Sequence, residues 1–261
     1  MNAQSILPQL KLWFDEYTHG FLSDDPVVHE SMDLKKEHTL RVCRAAADIG
    51  GDLKLSSDDL CIAEIAALLH DIGRFDQYRQ YRTFSDFKSV NHADLGVEVI
   101  KAEHVLGGLE TASAEIIISA VGYHNRMTLP DNEEARSLLF LKLLRDADKV
   151  DIWRVVTDYY RNGGVKKNKT IELDLPDTPQ ISAQVYRSLM NGHLVNMADV
   201  KTLNDFKLLQ IGWVYDLNYP RAFQIVREKG YLKMIRDSLP PSSDWVEEIY
   251  DRASEYMVQN T

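Results

Sequence analysis

The sequence predicts an all-α fold. Apolar residues recur at three-and-four spacing through most of the 261 residues, alternation at period two is nearly absent, and capping residues interrupt the pattern at short intervals. Helical faces therefore carry the core.

Residues 3–22 place Ile6, Leu7, Leu10, Trp13, Phe14 and Tyr17 on one face, and Ser23-Asp24-Asp25-Pro26 ends that helix. A second helix over about 33–49 puts Leu34, His38, Arg41 and Val42 together and is expected to close on Gly50-Gly51, a glycine C-cap. The run Ser56-Ser57-Asp58-Asp59 is an N-cap cluster that opens an apolar helix ending at His70-Asp71 and breaking at Gly73. Residues 73–91 show no clean helical period, and helices follow over about 92–106, 111–124 and 132–160. The stretch from Arg161 to Lys169, rich in Gly, Asn and Lys, reads as a solvated loop, and 171–175 as a short extended piece. Helices near 180–191, 199–211, 219–237 and 242–257 complete the chain, which is expected to form one domain over 1–261. Trp213, Tyr215 and Asp216 lie in an Ile-Gly-Trp-Val-Tyr-Asp run that suits either a lid or helix packing.

Composition excludes several classes. Hydrophobic residues at 44% and charged residues at 27% are ordinary globular usage, against wholesale disorder. A formal charge of −10 lacks the basic footprint that duplex nucleic acid requires. Cys43 and Cys61 cannot build a disulfide framework and sit in apolar helical patterns. No apolar run approaches the ~18 residues that span a bilayer, and the amino terminus has no basic start followed by an apolar core. The chain reads as a cytoplasmic protein without a membrane partner.

The chemistry converges on His70-Asp71, at the tip of an apolar helix. A histidine and a carboxylate adjacent in a helix diverge by about 100°, so the pair makes sense if something between them is gripped. Further ligand-type residues accompany it on or near the ends of other predicted helices: His38, His92 in His-Ala-Asp-Leu-Gly, His124 in Gly-Tyr-His-Asn, and Asp148 in Asp-Ala-Asp-Lys-Val-Asp. Inward carboxylates beside inward imidazoles are costly without a metal or proton partner. His19, His29, His104 and His193 lack such context.

On these residues the sequence resembles the HD-domain superfamily of metal-dependent phosphohydrolases, whose signature is a histidine, a His-Asp pair and a later aspartate. Here these are His38, His70-Asp71 and Asp148, the last preferred over Asp146 because Lys149 follows it. The resemblance implies an HD-domain helical core over about 34–160, with additional C-terminal helices over about 171–261. A subset of the superfamily adds two histidines between the pair and the last aspartate, and His92 and His124 occur in that order. The metal set implied is then His38, His70, Asp71, His92, His124 and Asp148, holding two divalent transition ions, Fe or Mn first, with Zn, Ni and Co also suited. Asp71, with two oxygens, is expected to bridge them. The GYP motif of the cyclic-dinucleotide phosphodiesterases in that subset is missing.

The implied activity is hydrolysis of a phosphoester of a small molecule, a monoester or a diester, with a nucleotide the expected substrate and metal-activated water the nucleophile. Two alternatives stay open, a mixed-valent di-iron oxygenase on the same ligands and a non-catalytic regulatory module. Beside the ligands, Arg74 and Lys149 are the expected catalytic cations, and Arg79, Arg82 and Arg126 the expected substrate-binding ones. Phe75, Tyr78, Tyr81, Phe84 and Phe87 interleave with the arginines, as a substrate wall or as loop anchors. Asp151, one turn from Asp148, suits either an acceptor for a ligand imidazole N–H or a surface role. The expected partner is a small phosphorylated molecule, and a homo-oligomer stays open.

Overall fold

The computed structural model describes residues 1–161, 168–241 and 243–261. Among them every regular element is helical and no strand occurs, as the three-and-four spacing predicts. The residues cluster into two compact units, 1–151 and 152–261.

In the first unit, α1 (Ala3–His19) is capped by Asn2, whose side chain accepts from the Ser5 backbone, and buries Ile6, Leu7, Leu10 and Phe14. The second helix, α2 (Pro26–Asp52), starts earlier than expected because Asp25 caps it and Pro26 suits the first helical position. It also runs through the expected stop at Gly50-Gly51. Gly50 serves packing instead: a Cβ there would lie 2.9 Å from the Leu60 side chain. The helix ends only at Leu53, followed by Lys54 at φ 56.

The central helix is α3 (Ser57–Leu69), capped by Ser56, with Asp58 and Asp59 at its positive end. It packs against α1, α2 and α6 (Thr111–Tyr123), which is why it is apolar on nearly every side beyond Leu60. His70, Asp71 and Ile72 form the turn into α4 (Gly73–Tyr81), so Gly73 opens a helix rather than ending one. The helical period of 73–81 is masked by Gln77, which is fully buried through polar bonds and not apolar contact. Arg82, at φ 54, stops α4, and a single 3-10 turn covers Asp86–Lys88. The next helix, α5 (His92–Ala102), is capped by Asn91.

Gly73 and Gly96 explain why α4 and α5 touch. A Cβ on Gly73 would lie 2.3 Å from the His92 carbonyl and 2.5 Å from the Gly96 nitrogen. Only a residue without a side chain permits this approach. The last helix of this unit, α7 (Ala135–Arg161), crosses the boundary at 151/152.

In the second unit, the basic loop expected over 161–169 falls largely on 162–167, outside the described residues. The extended piece expected at 171–175 is instead one helical turn, α8 (Lys169–Glu172), followed by Leu173 and Asp174 at φ 55 and 56. Ile171, Leu173 and Leu175 alternate at period two, but no partner strand among the described residues satisfies their backbone groups. Beyond α9 (Ala183–Met190), the fully buried α10 (Leu203–Gly212) forms the centre of this unit and is opened by a Thr202–Asp205 capping box. The single helix expected over 219–237 is two, α11 (Pro220–Lys229) and α12 (Tyr231–Asp237), broken at Gly230 with φ 68. α13 (Asp244–Gln259) ends the chain. Trp213 meets Trp153 edge-on and Tyr215 meets Tyr256, so these residues of the Ile-Gly-Trp-Val-Tyr-Asp run are packed within this unit.

Candidate metal centre

The first unit gathers all six ligand-type residues. His38 comes from the middle of α2, His70 and Asp71 from the α3–α4 turn, His92 from the first position of α5, His124 from the end of α6, and Asp148 from α7. The four histidines and Asp71 are all buried. His38 Nε2 lies 3.1 Å from Asp148 Oδ1, 3.5 Å from Asp71 Oδ2 and 3.3 Å from His70 Nε2. On the other side of Asp71, Oδ1 is 3.3 Å from His92 Nε2, which is 3.0 Å from His124 Nε2. Of the two aspartates at the end of the signature, Asp148 meets His38 and His70, and Asp146 is buried.

Each imidazole is held from behind at Nδ1. Asp151 holds His38 and Asp86 holds His92, both at 2.7 Å, while the Ala67 and Val121 carbonyls hold His70 and His124 at the same distance. An Nδ1 facing a carbonyl or carboxylate donates to it, and the Nε2 atoms lie on the opposite side of the rings, paired His38 with His70 and His92 with His124. Arg41 bonds Asp151 at 2.6 Å and so fixes the carboxylate behind His38. Asp86 is gripped by Arg74 at 2.9 Å, Gln77 at 2.8 Å and Asn125 at 3.1 Å. Arg145, buried, donates to the carbonyls of Tyr123, His124 and Arg126 and pins the end of α6.

The electrostatics follow from burial set against neighbours. Burial raises the Asp71 carboxyl, but Lys35, His70, Arg74 and His92 outweigh it and hold Asp71 well below the usual carboxylate range. Asp148 is lowered in the same way by His38 and His70. Burial pushes His124 down to about 3, helped by His92 and His70, and lowers His92 as well, helped by Arg74. Burial and Lys35 also press on His38, but its bonds to Asp148 and Asp151 prevail and raise it.

Three overlapping sets of these atoms meet the geometry of a metal site, each with its ligand atoms within 4.8 Å of one another: His38, His70 and Asp71; His70, His124 and Asp148; and Asp71, His92 and His124. Ionised carboxylates and neutral imidazoles suit divalent transition ions. The HD-domain model matches residues 36–153. The chain carries an HD domain. That domain is helical, as found here, and its superfamily consists mostly of metal-dependent hydrolases. The His/Asp clusters of this HD domain fit the divalent-metal site typical of the superfamily. Comparison with curated proteins and with solved structures gives no match. No helix among the described residues is long and apolar enough to cross a membrane.

The cations named from the sequence lie in different places. Arg74 reaches Asp71 at 3.4 Å, but its guanidinium is also tied to Gln77, Asp86 and the Phe84 carbonyl. Lys149 is buried and reaches the Arg145 carbonyl at 3.4 Å. Arg79 pairs with Asp76 over the Phe21 ring, and Arg126 pairs with Asp94 at 2.6 Å, both on exposed surface. Arg82 is exposed at the end of α4. Phe75, Tyr78 and Phe84 are buried as packing groups, whereas Tyr81 and Phe87 are exposed.

Two residues at the centre escaped the sequence reading. Lys35 Nζ lies 2.6 Å from Asp71 Oδ2; its spacing of three from His38 was the available signal. Asp86 stands behind His92, and nothing in its local pattern announces that role.

Proposed function

We propose that the HD domain is a metal-dependent phosphohydrolase that cleaves a phosphoester of a small molecule, with a nucleotide as the expected class. The observation that carries this reading is the placement of Asp71, whose two oxygens face two different sets of imidazoles, Oδ2 toward His38 and His70 and Oδ1 toward His92. His38, His70, Asp71 and Asp148 would hold one divalent ion; Asp71, His92 and His124 would hold a second. When bound, such ions lower the pKa of a coordinated water and polarise a phosphoryl oxygen.

The protein's own contribution is orientation. The Nδ1 anchors fix the imidazole rings, Asp151 and Asp86 strengthen the basicity of His38 and His92, and burial excludes bulk water. In the net reaction the oxygen of water bonds to phosphorus, the bond from phosphorus to the ester oxygen breaks, and the alcohol leaves carrying a proton. Lys35 and Arg74 give this rim a positive lining in a chain that is acidic as a whole.

The test is elemental analysis of protein purified without added metal, followed by assay with Mn²⁺ and Fe²⁺ against aryl phosphates and a nucleotide panel. Metal-dependent release of phosphate or of a nucleoside supports the reading. Protein that retains metal and turns over no member of either set overturns it.

A further inference from the structure

We propose that Lys35 forms an anion subsite that receives the phosphoryl group and selects a dianionic phosphomonoester over a diester. The proposal rests on the metal-dependent reading above and assigns a substrate class to the same centre.

Lys35 lies on α2, one turn before His38, and therefore on the same helical face. Its ammonium is 2.6 Å from Asp71 Oδ2 and 5.5 Å from the centroid of the Phe84 ring. The ammonium thus sits over an aromatic face and is aimed at the carboxylate in the middle of the centre. Its side chain keeps 16% exposure and that of Asp148 17%, against 0% for His70 and 4% for His92. A ligand from solvent meets Lys35 and Asp148 before it meets the imidazoles.

Arg74 is the other cation on this rim, but it is already committed. It bonds Gln77, Asp86 and the Phe84 carbonyl through one nitrogen and Asp71 through another. Releasing it would undo the support of Asp86 and, through Asp86, of His92. A lysine ammonium, by contrast, has three donors on a flexible stem and can contact Asp71 and a phosphoryl oxygen together.

Charge balance favours the dianion. Arg41 neutralises Asp151, and Arg74 is shared between Asp86 and Asp71. Asp71 and Asp148 would therefore face two divalent ions with Lys35 adding further positive charge. A loaded centre of that kind carries a surplus that a phosphomonoester dianion offsets better than a diester monoanion.

The experiment uses the full-length, Mn²⁺-loaded protein with inorganic phosphate as the binding probe in calorimetry, and p-nitrophenyl phosphate and bis(p-nitrophenyl) phosphate as substrates. Lys35→Met is expected to fold and to keep the wild-type metal content. It should weaken phosphate binding about tenfold or more, the scale of one charge-assisted hydrogen bond, and raise the monoester KM similarly while changing the diester less. Lys35→Arg should recover part of the loss, and it serves as the reporter if Lys35→Met does not fold. A fall in metal content in the folded Lys35→Met protein would show that Lys35 merely balances Asp71, and would overturn the proposal. Equal effects on monoester and diester would also overturn it, as would wild-type protein that does not bind phosphate. Wild-type protein that binds phosphate through Lys35 but hydrolyses neither ester would sink the hydrolase reading and leave the subsite standing.

Discussion

Asp86 holds Nδ1 of His92 at 2.7 Å, although the two residues lie on different elements and Asp86 belongs only to a 3-10 turn. Its carboxyl is lowered below the usual range because His92 and Arg74 outweigh its burial. Asp86→Asn should leave the fold intact and weaken metal binding about 10–100-fold, the usual consequence of losing a carboxylate behind a ligand histidine. Metal content measured against a graded chelator series checks this. A variant with wild-type metal affinity would show that the bond only anchors the loop.

Asp71→Ala removes the group on which both sets of imidazoles converge. The expected outcome is loss of bound metal and a fall in phosphohydrolase rate of at least ~10³-fold, since metal-centred charge stabilisation is worth several kcal/mol. Elemental analysis beside a single-turnover assay measures both on one sample. Retention of the wild-type metal content would remove Asp71 from the ligand set proposed above.

Gly73 and Gly51 should respond in opposite ways to alanine. At Gly73 a Cβ would collide with the backbone of His92 and Gly96, so Gly73→Ala should cost about 3 kcal/mol and disturb the position of His92. At Gly51, inside α2, nothing lies within 4 Å, so Gly51→Ala should add up to about 1 kcal/mol. Urea denaturation of both variants tests the pair.

Acid should destabilise the metal-stripped protein through His124. Its folded pKa of about 3 lies below the ordinary value of 6.5, so on acidification the unfolded chain takes up a proton that the folded chain refuses. That contribution to stability is complete above pH 6.5 and is lost as pH falls toward 3. Melting temperatures over this window should fall more steeply for wild type than for His124→Gln. Parallel curves would contradict the assignment.

The legible part of this protein was the part written in helical spacing and ligand type. His38, His70, Asp71 and Asp148 stood out by their resemblance to the HD-domain signature, within which the lysine after Asp148 separated it from Asp146; the cost of burying imidazoles and carboxylates without a partner agreed with it. What could not be read depended on tertiary contacts. Gln77 is buried with its side-chain amide bonded to Arg74, Asp86, Ser89 and Val90, and hid the period of α4. Gly50 resembled a helix stop, but its missing side chain accommodates Leu60. Asp86 reaches His92 through a turn with no periodicity of its own. The aromatic and arginine stripe over 74–88 divided according to packing, with Phe75 and Tyr78 inside and Arg79 outside.

The four bonds at the Nδ1 atoms also determine what kind of metalloprotein this is. In small metal-nucleated folds the ligands are mobile until the ion arrives, so chelation unravels the chain. Here each ring is already prevented from rotating by a carbonyl or a carboxylate from the helical body. The loss of rotational freedom belongs to folding, before any ion is captured. The metal-free chain should therefore keep its far-ultraviolet helical signal and bind ions as a preformed receptor, in a reversible step separable from folding.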